Sequence, residues 1–349
     1  MITMRTILAI DAGGTSTRAA VLDDSGRIAG VGAAASGNPT SAGIDAAVGN
    51  IATAARRALD AAGVQVGAGS AVVIALAGAN TSAFRGRLHS RMSTLGFEAE
   101  PIIESDLLAM YFSGTHLDDG YALIAGTGAV AARVASGRLE RVAGGTGWLL
   151  GDAGSGFWIG HQVVRAVVAA LDGQGPQTKL TAMLSKALDL PPSTEARDGR
   201  PVLLDQLIAE LYEMRPVEMS RFAPMAFAAT NDPVARGIVE AAITELVDLL
   251  VVVLARRQRG PIVVGGSVLK LGILAPGRDG LADAFHERLA MQMRNASVVA
   301  VSNGVVGACV LGLRHTGTAV GSDLFTSLRA QLADGVPGAD PGRLDVAGD

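Results

Sequence analysis

The first regular segment of the chain is ILAIDAGGTSTRAAVLDDSG, residues 7–26. The apolar run Ile7–Ile10 predicts a buried strand, and the apolar run Ala19–Leu22 predicts a second strand that returns antiparallel to it. Asp11 ends the first strand, and two glycines follow where the backbone must turn. A hairpin with a glycine and hydroxyl tip presents backbone N–H groups that can hold anionic oxygens. An ordinary hairpin turn explains the same residues equally well, so only other parts of the sequence can distinguish an anion-binding turn from a structural one.

Length and composition narrow the class of protein. The chain has 349 residues, which is enough for two domains of ordinary size. Aromatic residues make up 4% of the chain whereas glycine occurs 45 times, so we expect a core of small aliphatic side chains in α/β layers. A net charge of −4 without a basic block argues against a nucleic-acid partner. Cys309 is the only cysteine, so an intrachain disulfide is impossible and a reducing compartment is expected.

No segment of the sequence has the pattern of a signal peptide or of a membrane span. The first apolar stretch has the length of a strand and lacks a small-residue cleavage site. The most apolar segment, Leu246–Ala255, is too short to cross a bilayer and contains Asp248. We therefore expect a cytoplasmic protein without a membrane partner.

The order of the predicted elements indicates two α/β lobes. The first lobe is predicted over residues 1–117, with the hairpin followed by a helix at 44–62, a strand at 70–79, a helix at 84–96 and a strand leading into a helix at 100–112. The second lobe is predicted over residues 118–318, with three strands in 120–145 and helices at 156–171, 176–188, 202–213 and 233–258. A strand is predicted within 261–272, and a strand followed by a small-residue helix within 297–315. A helix near 320–334 is expected to join the first lobe, and residues 335–349 are expected to form a flexible tail.

Two further glycine turns follow predicted strands in the second lobe. The sequence AGTG at 125–128 is a weak repeat of the opening hairpin, and GGS at 265–267 ends another apolar run. Each turn alone is as consistent with plain turn chemistry as with ligand binding. Three strand-to-glycine turns together suit phosphate transfer from ATP, which needs groups around the β- and γ-phosphates, a metal ion and a base for the acceptor hydroxyl.

The order of the motifs resembles the actin-like ATPase and sugar-kinase superfamily. Within it, the chain is similar to the N-acetylglucosamine and glucosamine kinase branch, which is related to ATPases that activate benzoyl-CoA reductase. The similarity covers residues 5–315, and its motifs are DAGGT at 11–15, SD at 105–106, AGTG at 125–128, GGTGWLLGDAGSGFWIG at 144–160 and VVGGSVL at 263–269. The resemblance implies an α/β, two-lobed actin-like ATPase (ribonuclease-H-like) fold with a central ligand cleft, nucleotide deep in that cleft and sugar at its mouth.

The resemblance also implies roles for individual residues. It implies an ATP-binding set of Gly13, Gly14, Thr15, Thr17, Gly126, Thr127, Gly128, Gly265, Gly266 and Ser267. It implies a substrate-binding set of Asn38, Asp106, Gly145, Thr146 and Asp152. Asp106 falls where the family places its catalytic base, which accepts the proton of the attacking sugar hydroxyl. Asp11 is expected to hold Mg²⁺ through water, since Mg²⁺ keeps several waters and takes few protein ligands.

Several of these residues have a purely structural alternative. Asp106 could cap a helix that begins at Leu107, and Glu104 is the nearest competing carboxylate because strand alternation places it on the same side. Asn38 precedes Pro39 and suits a turn, while Asp152 suits the entry of a helix.

Two departures from the family pattern concern the acceptor sugar. N-acetylglucosamine kinases typically read GGWG and DEGS, whereas this chain carries Thr146 in place of the aromatic residue and Ala153 in place of the glutamate. The sequence therefore predicts an ATP-dependent hexosamine kinase that converts glucosamine to glucosamine 6-phosphate, with N-acetylglucosamine as the alternative acceptor. A homodimer is expected. The alternative from another class is a conformational ATPase that activates a partner enzyme. Such activators hold an iron–sulfur cluster with cysteines, whereas Cys309 lies in a small-residue helix and suits a thiol packed in the core.

Overall fold

A computed structural model of the protein describes residues 5–76, 81–255, 260–277, 280–293 and 297–333. The strands, in chain order, are β1 Ile7–Ala12, β2 Ser16–Leu22, β3 Ile28–Ala35, β4 Ala71–Leu76, β5 Ile102–Ser105, β6 Gly120–Ala125, β7 Ala129–Ala135, β8 Arg138–Gly144, β9 Ala196–Arg197, β10 Arg200–Pro201, β11 Ile262–Gly265 and β12 Val298–Ala300. The α-helices are α1 Pro39–Ala42, α2 Ile44–Ala62, α3 Ser82–Ser93, α4 Asp106–Gly114, α5 Gly156–Leu171, α6 Leu180–Ala187, α7 Val202–Glu213, α8 Ala223–Ala228, α9 Pro233–Val253, α10 Leu281–Gln292, α11 Val305–His315 and α12 Ser322–Gln331. A 3₁₀ helix, Pro216–Phe222, and a π-helical turn, Val268–Ile273, complete the elements.

The chain forms two compact units, one made of residues 1–118 and 303–349, the other of residues 119–302. The first unit contains a five-stranded sheet of order β3-β2-β1-β4-β5. The hairpin predicted at residues 7–22 is confirmed, because β1 and β2 pair antiparallel with Asp11 opposite Arg18. β1 then pairs parallel with β4, and β4 parallel with β5, so the carboxyl ends of these three strands lie at the same edge of the sheet.

Helices cover both faces of this first sheet. Leu8 and Ile10 of β1 pack in one core cluster with the small buried face of α2, which includes Ile51 and Ala54. The predicted boundaries of α2 are confirmed, and the helix ends where Gly63 adopts the left-handed conformation with φ 61°. The alternate residues of β1 face α11, as the close approach of Gly312 to the Ile7 side chain shows.

The second unit contains a five-stranded sheet of order β12-β11-β6-β7-β8. Strands β6, β7 and β8 form an antiparallel meander, and β11 and β12 add in parallel on the other side of β6. The core of this unit consists mainly of aliphatic side chains from β6, β7, α5 and α9. No helix among the described residues is both long and apolar enough to cross a bilayer.

The structure differs from the predicted organisation in several elements. Residues 303–318 were assigned to the second lobe, but α11 packs on β1 and α4 and therefore belongs to the first unit, as does α12. The sequence also did not predict β3, because its glycines and alanines, IAGVGAAA, carry little strand propensity. The predicted strand at 70–79 and helix at 233–258 end at Leu76 and Val253, while residues 77–79, 256–258 and the predicted tail 335–349 lie outside the described residues.

Candidate active site

Asp11 is a buried carboxylate at the end of β1. Its Oδ2 accepts a hydrogen bond of 2.8 Å from the backbone N–H of Gly304, the residue that precedes α11. Burial raises the pKa of Asp11 to about 6, although the Gly304 hydrogen bond and the positive charge of Arg18 lower it, and the negative charge of Asp106 adds to the rise. Burial and, to a smaller extent, the charge of Asp106 therefore disfavour the ionised form of Asp11.

Two serine hydroxyls donate hydrogen bonds to the glycine turn after Asp11. The hydroxyl of Ser36 donates to the carbonyl oxygen of Gly13, and that of Ser41 donates to the carbonyl oxygen of Gly14, both at 3.3 Å. Gly14 and Thr15 are exposed at the tip. The N–H of Gly13 donates to the carbonyl oxygen of Ser16 at 3.1 Å, so the N–H groups that the tip can present to an anion do not include that of Gly13.

Thr17 departs from the predicted ATP-binding set. Its side chain is fully buried, and its hydroxyl donates a 2.8 Å hydrogen bond to the carbonyl oxygen of Ala35 on β3. The hydroxyl therefore joins two strands and faces no open space. We leave Thr17 out of the phosphate site proposed below for this reason.

Asn38 lies between Ser36 and Ser41, the two serines that hold the glycine turn, and is the N-cap of α1. Its Oδ1 accepts a 2.7 Å hydrogen bond from the N–H of Thr40, so the side chain caps α1, where the structural alternative predicted a turn. A single cap uses only the oxygen of the amide. The two N–H donors on Nδ2 can still serve a ligand hydroxyl.

Asp106 is the first residue of α4 and is half-buried. The N-cap is Ser105, whose hydroxyl accepts from the N–H of Leu107 at 3.2 Å, while Oδ1 of Asp106 accepts from the same N–H at 2.8 Å. Burial raises the pKa of Asp106, although these backbone N–H groups lower it in part. The competing carboxylate Glu104 is engaged elsewhere, because its Oε1 lies 2.7 Å from Nε2 of His315. Because Ser105 already caps α4, capping of this helix does not require Asp106.

In the second unit, the turn at residues 126–128 is fixed by the beginning of α5. The backbone N–H of Gly156 donates to the carbonyl oxygen of Gly126 at 2.7 Å, and that of Phe157 donates to the carbonyl oxygen of Thr127 at 3.1 Å. Thr127 is exposed. The segment GDAGS at residues 151–155, part of the motif that carries the resemblance, thus leads directly into the helix that supports this turn.

The third glycine motif touches the second. Gly266 has φ +91°, and a Cβ at this position would lie 2.3 Å from the carbonyl oxygen of Ala125, so only glycine allows the two turns to approach. Gly265 is the last residue of β11 and is buried, whereas Ser267 is exposed before the π-helical turn. The structure therefore brings together the predicted sets 126–128 and 265–267 within one unit.

Asp152 is buried beside the turn at residues 126–128. It has φ 61°, which is uncommon for a residue with a side chain, and it is 8% exposed. Burial raises the pKa of Asp152, although the N–H groups of Ala129 and Gly147 lower it in part. Its Oδ1 has no hydrogen-bond partner within the described residues. A buried carboxylate oxygen without a donor is costly unless a ligand supplies one.

The segment before Asp152 is exposed. Gly145 is held by its N–H, which donates to the carbonyl oxygen of Ala129 at 2.7 Å, and Thr146 is exposed next to it. Trp148 packs against Phe157 at 5.6 Å between ring centroids and remains 39% exposed. An aromatic side chain is therefore present near Asp152, although not at the position where the family carries it.

A separate cavity of about 820 Å³ in the second unit is lined by residues between 178 and 203. None of the predicted site residues contributes to it.

Two residues that the sequence analysis did not single out contact the predicted ones. Arg18 lies directly opposite Asp11 in the hairpin register, and its Nη1 donates to the Ser16 hydroxyl at 2.7 Å. The predicted hairpin could have indicated this pairing. The contact between Gly304 and Asp11 joins residues 293 positions apart, so no local signal could have shown it.

The residues around Asp11 fit a magnesium ion. Asp11 is buried and Asp106 is half-buried, burial raises the pKa of both carboxyl groups, and a cation would provide a charge that favours their ionised form. No three acidic, histidine or cysteine side chains converge within the part of the chain that the structure describes.

A solved structure shares the fold of this chain. A crystal structure from Chromobacterium violaceum, provisionally named an N-acetylglucosamine kinase, superposes with a TM-score of 0.66 at 21% identity, covering 89% of this chain and 99% of that one. The pattern of the BadF/BadG/BcrA/BcrD ATPase family matches residues 8–312, and the chain belongs to that family.

Two curated relatives are sugar kinases. The chain is 30% identical to an N-acetyl-D-glucosamine kinase of Dictyostelium discoideum over 232 residues, which is 63% of this chain and 67% of that protein. It is 27% identical to the glucosamine kinase GspK of Vibrio cholerae over 237 residues, which is 66% of this chain and 74% of that protein.

Proposed function

We propose that this protein is an ATP-dependent hexosamine kinase that phosphorylates glucosamine on its 6-hydroxyl. The observation that carries the proposal is the pair Asp11 and Asp106, two carboxylates of raised pKa at the ends of neighbouring elements beside an exposed glycine turn. Phosphoryl transfer needs these parts, a base for the acceptor and a charged group near the phosphates. The two curated relatives described above support the same reaction class.

In the proposed reaction, the 6-hydroxyl oxygen of the sugar attacks the γ-phosphorus of ATP and the bond to the β-phosphate oxygen breaks. Asp106 accepts the hydroxyl proton, and ADP leaves with the electron pair of the broken bond. The glycine turn with Gly14 and Thr15 in the first unit, and the turn at residues 126–128 in the second, are the proposed phosphate-binding groups. Mg²⁺, held by Asp11 through water, would neutralise charge on the phosphates.

The proposed sugar contacts are Asn38, Thr146 and Asp152. Asn38 can donate two hydrogen bonds through Nδ2, and Asp152 can accept one at its unpartnered Oδ1. A protonated amine is a strong donor to a buried carboxylate. This chemistry supports glucosamine as the acceptor, because its free amine carries charge near neutral pH.

N-acetylglucosamine is the second candidate, and a specific observation supports it. The exposed face of Trp148, packed on Phe157, offers an apolar surface of the kind that an acetyl methyl group needs. Ala153 in place of glutamate also leaves more room near Asp152.

A coupled assay of ADP release over a panel of hexoses, glucosamine and N-acetylglucosamine tests the proposal. We expect kcat/KM to favour glucosamine by roughly ten- to a hundredfold, since an unmade hydrogen bond to a buried polar group costs about 1–3 kcal/mol. Faster turnover of N-acetylglucosamine would overturn the acceptor and leave the kinase in place. The absence of turnover with either amino sugar would overturn the kinase.

Replacing Asp106 by Asn tests the proposed base. The amide keeps the shape and the acceptor for the Leu107 N–H but cannot take a proton, so we expect kcat to fall by about 10² or more with nucleotide affinity unchanged. Stopped-flow or coupled kinetics and calorimetric titration with ADP give the two quantities. A variant with near-normal kcat would reassign Asp106 to a structural role.

A cytoplasmic location and a homodimer complete the proposal. The single cysteine is buried, which is consistent with a reducing compartment but does not require one. Cell fractionation tests the location, and light scattering behind a sizing column tests the oligomeric state.

A further inference from the structure

Helix α11 and the residue before it contact both Asp11 and the strand that leads to Asp106. At its beginning, the N–H of Gly304 donates to Asp11 at 2.8 Å. At its end, Nε2 of His315 lies 2.7 Å from Oε1 of Glu104, which is two residues before Asp106 on β5. One helix of 11 residues therefore joins the end of β1 to the strand that leads into Asp106.

The middle of α11 is in backbone contact with α4, the helix that Asp106 begins. A Cβ on Gly307 would lie 1.8 Å from the carbonyl oxygen of Ala109, so no larger residue fits without separating the helices. The N–H of Gly307 donates to the Ser113 hydroxyl at 2.9 Å, and that hydroxyl donates to the same Ala109 carbonyl at 2.9 Å. The spacing of α11 and α4 is thus set by close backbone contacts.

The contact between His315 and Glu104 joins the end of α11 to β5. The side chains are 35% and 24% exposed, and pairs of this kind add little to the free energy of unfolding. A histidine in the last turn of a helix is also favoured by the helix dipole. The contribution of this pair therefore lies in geometry, because it connects a helix end to the strand that carries the proposed base.

We propose that His315 is a positioning residue: through Glu104 it fixes the end of β5, and with it Asp106, relative to Asp11. The catalytic part of this inference rests on the kinase activity proposed above, whereas the structural part does not. A misplacement of about 1 Å in a reacting group can cost up to about 10² in rate, so a partial loosening is expected to cost less.

The first experiment compares kinetic constants of His315→Ala and His315→Gln. We expect His315→Ala to lower kcat by about tenfold while KM for ATP and for the sugar stays within about twofold, because the phosphate and sugar contacts are untouched. Glutamine retains an N–H donor for Glu104 and is expected to restore most of kcat. An unchanged kcat in His315→Ala would overturn the proposal.

The matched control is Asp118→Asn. Asp118 receives a 2.6 Å hydrogen bond from Arg314, the neighbouring residue at the same helix end, but has no hydrogen bond to β5. We expect kcat within about twofold of wild type. An equal loss of kcat in the control would show that any weakening of this helix end suffices and would overturn the specific role of His315.

A double-mutant cycle tests whether Glu104 transmits the effect. His315→Ala, Glu104→Ala and the double variant should lose the same factor in kcat, since each breaks one shared contact. Multiplied losses in the double variant would contradict a shared path.

Hydrogen exchange separates this inference from the proposed function. The amides of Leu107 and Gly304, which bond Asp106 and Asp11, are expected to exchange about tenfold faster in His315→Ala and unchanged in Asp118→Asn. Unchanged exchange in His315→Ala would overturn the inference even with full kinase activity. Faster exchange in a protein without kinase activity would overturn only the proposed function.

Discussion

Asp11 is a residue whose environment suggests a clear experiment. It is buried, it accepts one backbone hydrogen bond, and its pKa is raised to about 6 by burial. Asp11→Ala removes a ligand of the proposed metal site but not the proton acceptor. We expect the Mg²⁺ concentration for half-maximal turnover to rise about tenfold or more, measured by titrating Mg²⁺ at fixed ATP.

The control for this prediction is Asp45→Ala. Asp45 is an exposed carboxylate that pairs with Arg87 in the same unit. Its removal should leave the Mg²⁺ dependence unchanged, and a shift equal to that of Asp11→Ala would indicate a nonspecific charge effect.

Cys309 provides a second prediction at the scale of the residue. It is fully buried in α11, and burial raises the pKa of its thiol to about 12. Because the thiolate is the reactive form, we expect no labelling by a disulfide reagent at pH 8 in the folded protein and one labelled thiol in denaturant. Rapid labelling of the native protein would contradict this and would revive the alternative of a cysteine-bound cluster.

At the scale of the element, Asp232 joins two helices of the second unit. Its Oδ1 accepts from the N–H groups of Val234 and Ala235 at the beginning of α9, at 2.9 and 3.1 Å. Its Oδ2 accepts from the N–H of Lys179 at 2.7 Å and from the hydroxyl of Thr178 at 3.1 Å, both just before α6. We expect Asp232→Ala to lower the free energy of unfolding of this unit by about 1–3 kcal/mol, measured by chemical denaturation.

The pH dependence of this effect follows from the sign of the pKa shift. Burial raises the pKa of Asp232, but the four hydrogen bonds together outweigh it and lower the pKa below the ordinary 3.8. A lowered pKa stabilises the folded state above the unfolded value, and this contribution is lost as the pH falls through the folded value. The difference between wild type and Asp232→Ala should therefore be full above pH 3.8 and shrink below it. Asp248→Ala, an exposed carboxylate on the same helix, should show neither effect.

Local patterns predicted the elements that depend on neighbouring residues. The apolar runs around Asp11 gave the hairpin, and the period of small apolar residues gave α2 with its end at Gly63. The nature of β3 was missed because its strand character comes from pairing with β2 and packing on α2, not from its own side chains. The place of α11 was missed because its contacts with β1 and α4 connect distant parts of the chain.

The candidate site likewise contains contacts that local sequence patterns could not predict. The glycine turns were visible as motifs, but the buried hydroxyl bond of Thr17 and the unpartnered oxygen of Asp152 depend on tertiary packing. The family resemblance supplied residue types and positions. It could not supply the partners that each side chain already has.

At the scale of the whole molecule, nucleotide binding should appear as increased thermal stability. A ligand at about 100 times its Kd adds roughly 2.7 kcal/mol to the state that binds it. We expect a non-hydrolysable ATP analogue with Mg²⁺ to raise the Tm of the wild-type protein. Gly266→Ala, whose Cβ would meet the Ala125 carbonyl at 2.3 Å, should abolish the shift.

Gly237→Ala is the matched control for this experiment. Gly237 lies in α9 of the same unit, and a Cβ there meets nothing within 4 Å. The ligand-induced shift should be retained, and its loss would contradict the assignment of the effect to the glycine turns.

The division of the first unit between two distant stretches of chain has a consequence for biosynthesis. Strand β1 leaves the ribosome early, but α11, which covers the Ile7 face of that strand, follows only after residues 119–302. At about 5–20 residues per second, the roughly 300 residues between β1 and the end of α11 take about 15–60 s to synthesise, so this apolar face stays uncovered for that time while the contiguous second unit can already fold. Slow codons within residues 119–302 should lengthen that wait, and they should lower the yield of folded protein without altering the stability of the molecules that complete it.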